Sequence, residues 1–118
     1  MVSVSALKTV DISVFSDLTI NENIDSEGGP VLLDAAGDII VNAGILSLGG
    51  EVVLLADGDI SFTAAGYIDT ETATANVNKA AATIKADFDQ SAGGGITMAD
   101  GSYVDARDGF IDVDATND

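Results

Sequence analysis

Cysteine, histidine and tryptophan are absent from the 118 residues of this chain. Without thiols there are no disulfides, no thiolate metal site and no cysteine nucleophile. Without histidine the commonest general base is missing as well. Basic residues are almost as scarce. Lys8, Lys79, Lys85 and Arg107 stand against twenty acids, for a formal net charge of −16. Nucleic-acid binding by phosphate neutralisation is thereby excluded, anionic membrane surfaces are disfavoured, and an acidic substrate would find few counter-charges. There is one proline, and aromatics make up only 5 %. No run approaches the roughly 18 apolar residues of a membrane span. Met1–Ser5 lacks the basic start and apolar run of a signal peptide. If the protein is secreted, the chain is expected to be an excerpt with an added start methionine.

What is present points to β structure. Hydrophobic residues reach 47 %, enough for the core of one domain over 1–118. With few aromatics, that core is expected to be narrow and layered from Val, Ile, Leu and Ala. Thirteen glycines supply turns, and the acids are sixteen Asp against four Glu. Asp folds back on its own backbone in turns, whereas Glu favours helices.

The most informative feature is recurrence. Gly28-Gly29-Pro30-Val31 and Gly49-Gly50-Glu51-Val52 start 21 residues apart (49 − 28), and Gly93-Gly94-Gly95-Ile96 follows 44 later (93 − 49). Asp17-Leu18-Thr19-Ile20, Asp38-Ile39-Ile40-Val41 and Asp59-Ile60-Ser61-Phe62 keep the same 21-residue beat (38 − 17, 59 − 38). A period of this size is the mark of a stacked coil array. Each unit reads as three short strands. The first is Val10–Ile12, Val31–Leu33, Val52–Leu54 and Ile96–Met98. The second follows Asp17, Asp38 and Asp59, with Ser102–Asp105 in the matching place. The third is Asn23–Ser26, Gly44–Ser47, Gly66–Asp69 and Gly109–Asp112. Period-two alternation inside the pieces, as in Ile39-x-Val41-x-Ala43, supports strands. The expectation is an all-β parallel solenoid of about five coils, since one coil cannot bury its own apolar face.

Positions that recur as apolar give an expected core of Ile12, Leu18, Ile20, Val31, Leu33, Ile39, Val41, Val52, Leu54, Ile60, Phe62, Ile96 and Met98. The stretch from Thr70 to Gln90 is the irregular or inserted coil. Alternation at Thr72–Asn78 and Ala82–Asp89 favours strands. Val77, Ala81, Ile84 and Phe88 also fall at helical spacing, so a helix is the rival.

At Gly37-Asp38-Ile39, Asp57-Gly58-Asp59-Ile60, Ala99-Asp100-Gly101-Ser102 and Gly109-Phe110-Ile111-Asp112-Val113 the chain resembles the repeats of filamentous-haemagglutinin-type bacterial adhesins. The resemblance implies a right-handed β-helix, an extracellular or cell-surface location, and a fibrous scaffold role with a glycan or host surface as target. It carries over no catalytic or adhesive residue.

Candidate sites follow from the acids. The pairs Asp57/Asp59, Asp87/Asp89 and Asp112/Asp114 would put carboxylates about 7 Å apart if they lay on one strand face, a separation compatible with inverting glycoside hydrolysis. Alternating Asp on a solvated face explains them without chemistry, and the chain is not expected to be an enzyme. Asp17, Asp38 and Asp59 are expected to stack in one column about 5 Å apart, where calcium would relieve a repulsion of roughly 1 kcal/mol per pair. Neither an EF-hand nor the glycine-rich calcium nonapeptide is present. A calcium-dependent binding module is the alternative to a scaffold. The repeat begins by Val10 and runs to Asp112 without a visible cap. The expected partners are therefore neighbouring coils of a longer chain or further copies end to end.

Overall fold

The computed structural model describes residues 9–70, 81–86, 94–106 and 111–115, all of them strand, turn or corner. Three short strands make each coil. The first coil holds β1 (Val10–Val14), β2 (Leu18–Ile20) and β3 (Ile24–Asp25), and the second holds β4 (Val31–Ala35), β5 (Ile39–Val41) and β6 (Gly44–Leu46). The third holds β7 (Val52–Ala56), β8 (Ile60–Phe62) and β9 (Tyr67–Asp69). The fourth holds β10 (Ala82–Ala86), β11 (Ile96–Met98) and β12 (Tyr103–Asp105), and β13 (Ile111–Ala115) opens a fifth. Equivalent strands pair in parallel, building one sheet β1-β4-β7-β10-β13 and two others, β2-β5-β8-β11 and β3-β6-β9-β12. This is a parallel β-solenoid.

The 21-residue spacing is the coil length only at the start. Val10, Val31 and Val52 are register partners at steps of 21 (31 − 10, 52 − 31), followed by steps of 30 to Ala82 and 29 to Ile111. The extra length lies in the corners. Four residues join β8 to β9 where two join β5 to β6, twelve (70–81) join β9 to β10, and nine (87–95) join β10 to β11. The strands themselves hardly change in length, with five residues in the first position, three in the second and two or three in the third, because they close the sheets.

Longer corners displace the expected register of the C-terminal half. Ile96–Met98 pairs with Ile60–Phe62 as a second-position strand, not with Val52–Leu54. Tyr103–Asp105 pairs with Tyr67–Asp69 as a third-position strand, and Ile111 pairs with Ala82 in the first sheet. Ala82–Ala86 is a strand rather than a helical turn. The alternation at Thr72–Asn78 lies outside the described residues. A one-residue slip also separates expectation from fold in β9, where Tyr67, not Gly66, takes the place of Gly44.

Inward side chains fill a single axial core. Ile20, Val31, Leu33, Ile39, Val41, Val52, Leu54, Ile60 and Phe62 are buried as expected, while Ile12, Leu18 and Ile96 are partly buried against them. Met98 is the correction. It points along the core column of Phe62 but lies in the last strand of its sheet and is 41 % exposed. The third-position residues Ile24, Ile45 and Ile68 were not expected, yet all are at 0 % exposure. Each such Ile stabilises by roughly 1.5–3 kcal/mol relative to solvent.

Candidate functional site

The Asp17, Asp38 and Asp59 column exists, and its carboxylates are used by the fold. Asp38 N donates to Asp17 Oδ1 at 2.9 Å, Asp59 N to Asp38 Oδ1 at 2.8 Å, and Gly95 N to Asp59 Oδ1 at 2.8 Å. Each Asp thus satisfies a corner amide one coil along, a group the sheet ladder does not reach. The glycine that precedes Asp in Gly37-Asp38 and Gly58-Asp59 has a matching cause. A Cβ on Gly37 would collide with Asp17 Oδ1, and one on Gly58 with Asp38 Oδ1. The Gly-Asp motif is therefore one device: the glycine leaves space for a carboxylate from the previous coil, and the aspartate presents the next.

Gly94-Gly95 occupies this corner in the fourth coil, and there the ladder of carboxylates stops. The apparent third Gly-Gly copy is therefore a different structure from the first two. Gly28 and Gly49 take left-handed φ of 107° and 100°. The residues before them, Glu27 and Leu48, also have positive φ, so each turn carries two left-handed residues. Buried Ser26 and Ser47 close these turns, with Ser26 Oγ donating to Gly29 O and Ser47 Oγ to Gly50 O. Gly50 lies so close over Gly29 that a Cβ would strike the Gly29 carbonyl.

Two further columns ornament the surface. Asn42 Nδ2 donates to Asn21 Oδ1 at 2.9 Å, and Gly44 N donates to Asn23 Oδ1 at 2.8 Å. The Tyr67 ring lies across Gly44, where no side chain competes, and Tyr103 stacks on Tyr67 with ring centroids 5.0 Å apart and planes within 13°. Phe15 stands wholly exposed at the corner after β1.

The carboxylate pairs divide. Asp57 and Asp59 flank Gly58 in a corner, so strand alternation does not place them on one face. Asp112 and Asp114 do share a strand face, and Lys85 Nζ lies 3.6 Å from Asp112 Oδ2 and 3.8 Å from Asp114 Oδ2. Asp87 and Asp89 lie outside the described residues. Among the described residues no three His, Cys, Asp or Glu side chains converge on a point that would hold a metal ion. No helix among them is long and apolar enough to cross a membrane. Sequence reasoning found the Asp column but missed the Tyr67/Tyr103 stack and the Lys85 clamp. Both depend on which strands become neighbours across long corners.

Fold and surface together define the class, a parallel β-solenoid with side-chain columns along its corners. No family model, curated protein or solved structure matches the chain.

Proposed function

We propose that the chain is a structural scaffold or adhesion segment of a bacterial extracellular fibrous protein. The observation that carries this reading is the use of its polar side chains. Asp17, Asp38, Asp59, Asn21, Asn23, Ser26 and Ser47 bond from coil to coil or within a coil's own turn. Such a surface spends its chemistry on holding a stack in register, which is what a load-carrying stalk requires. The resemblance of the Gly-Asp-Ile corners to filamentous-haemagglutinin-type repeats supports the bacterial surface location. Further β coils joined at the ends of the stack are the proposed neighbours. Antibodies against the purified chain test the location: labelling of intact cells of the source organism is expected, and labelling only after lysis would overturn it. Glycan-array binding by the same purified chain then separates adhesion from a purely mechanical role.

A further inference from the structure

The outward face of the first sheet changes character in its middle. Register aligns two outward rows across its five strands. One reads Asp11, Leu32, Val53, Thr83 and Asp112, and the other Ser13, Asp34, Leu55, Lys85 and Asp114. Leu32, Val53 and Leu55 are half-buried, while the inward residues that alternate with them are buried. Leu32 and Val53 are register partners, and Val53 and Leu55 alternate on one strand, so the three adjoin. The fold does not require apolar residues here, because Asp11, Thr83 and Asp112 hold the same position in other coils. The turn leading into β7 is apolar as well: Leu48 is 41 % exposed where the preceding turn has Glu27.

This patch lies on the side of the stack. Further coils would add along the solenoid axis and leave it as it is. β4 and β7 each have a strand on both edges, so no strand can be added beside them. A partner must pack by side chains alone, as an amphipathic helix does when it lays its apolar stripe on a surface. The charges around the patch say which helix. Asp11 and Asp34 lie on the side of β1 and β4, Glu51 and Asp57 flank β7 at its two ends, and Lys85 on the far side is turned to Asp112 and Asp114. The helix therefore needs Lys or Arg on the shoulder that meets Asp11 and Asp34. A second copy of this chain would bring the same acids and a further charge of −16.

We propose that the outward patch of Leu32, Val53 and Leu55 is a docking site for an amphipathic helix of another protein, apolar on one face and basic beside it. The inference goes beyond the scaffold reading and does not rest on it. The probe is a fluorescein-labelled helical peptide of leucine and lysine with its leucines on one face. Controls are a peptide of the same composition with leucines scattered around the helix, and a leucine–glutamate peptide. Anisotropy is expected to show saturable binding of the first peptide alone. The V53T/L55S variant copies Thr83 and Ser13 from the same two rows, so it should keep its melting temperature and bind about tenfold more weakly. D34N leaves the apolar patch intact and should weaken binding severalfold while flattening its salt dependence. I40S copies Ser61 on the second sheet and should bind like the wild type. Should V53T/L55S melt early, the D34N and peptide arms still decide. Equal binding of either control peptide, or unchanged affinity in V53T/L55S or D34N, would overturn the proposal. So would an equal loss in I40S. Sedimentation showing a dimer of the protein alone that V53T/L55S abolishes would overturn it too, since the occupant would then be a second copy.

Discussion

The first three coils and the fourth use the same three strand positions but hold their coils together differently. Between coils of constant length the corners superimpose: Asp17 and Asp38 each accept from the amide of the next aspartate, Asn42 donates to Asn21, and Ser26 and Ser47 close equivalent turns. Where corners lengthen, the strands still pair and the core still fills, but the described columns give way to single contacts. Gly95 replaces an aspartate, Tyr103 stacks on Tyr67, and Lys85 reaches Asp112 and Asp114. Sheets tolerate insertion at their corners because the ladder depends on strand register alone. The carboxylate ladder spans one lengthened corner as well, Gly95 N still donating to Asp59 Oδ1, and it ends there because glycine has no carboxylate to offer the next coil.

The sharpest way to break this comparison is to place a charge in each of two neighbouring core columns, one in a middle coil and one in the fourth. Ile60 is fully buried, so Ile60→Asp should cost several kcal/mol and unfold the third coil, read as loss of the cooperative melt. Met98→Asp, at the exposed end of the neighbouring Phe62 column, should leave the melting temperature within a few degrees. Equal losses at both sites would show that the last coil is covered after all.

Glycine provides the next contrast. Gly50→Ala drives a methyl into the Gly29 carbonyl and should destabilise by about 1–3 kcal/mol, whereas a Cβ on Gly95 meets nothing within 4 Å. Gly95→Ala should therefore be neutral, or stabilising by up to about 1 kcal/mol through the unfolded chain. Urea midpoints for the two variants decide the point.

A smaller effect tests the corner ladder. Asp38→Ala removes the acceptor for Asp59 N and should cost about 1 kcal/mol, while Asp38→Asn keeps a carbonyl oxygen there and should recover most of it. If calcium were the reason for the column, millimolar calcium would raise the wild-type melting temperature and the Asn variant would lose that rise. The hydrogen bonds predict no such response.

The smallest expected change is at the clamp. Lys85→Met removes two partly exposed ion pairs, so global stability should hardly move. Hydrogen exchange at β13 should quicken, and the difference from wild type should vanish in about 1 M salt, where the Debye length falls to about 3 Å.

Much of this architecture was legible in the sequence because a stack repeats its constraints. Alternation at Ile39, Val41, Ile60 and Phe62 announced inward faces, the 21-residue beat announced a coil, and Asp38 and Asp59 announced a column. Ile24, Ile45 and Ile68 were passed over because third-position strands are short, and the two extra residues before Tyr67 break their spacing. Gly93-Gly94-Gly95 misled for a related reason: two glycines in a row serve a left-handed turn at Gly28 and a carboxylate seat at Gly94-Gly95, and the letters do not distinguish them.

The sequence by itself determined the strand character, the inward faces and the coil length of the first two turns, since these are local periodicities. Only the tertiary structure decided the register beyond Phe62. There the corners no longer have one length, and counting residues ceases to predict neighbours. Register is set instead by which inward side chains share the core, so that Ile84 stands beside Leu54 and Val113 beside Ile84. Burial fixes that choice, because a slip of one residue would turn every apolar side chain of β10 toward solvent.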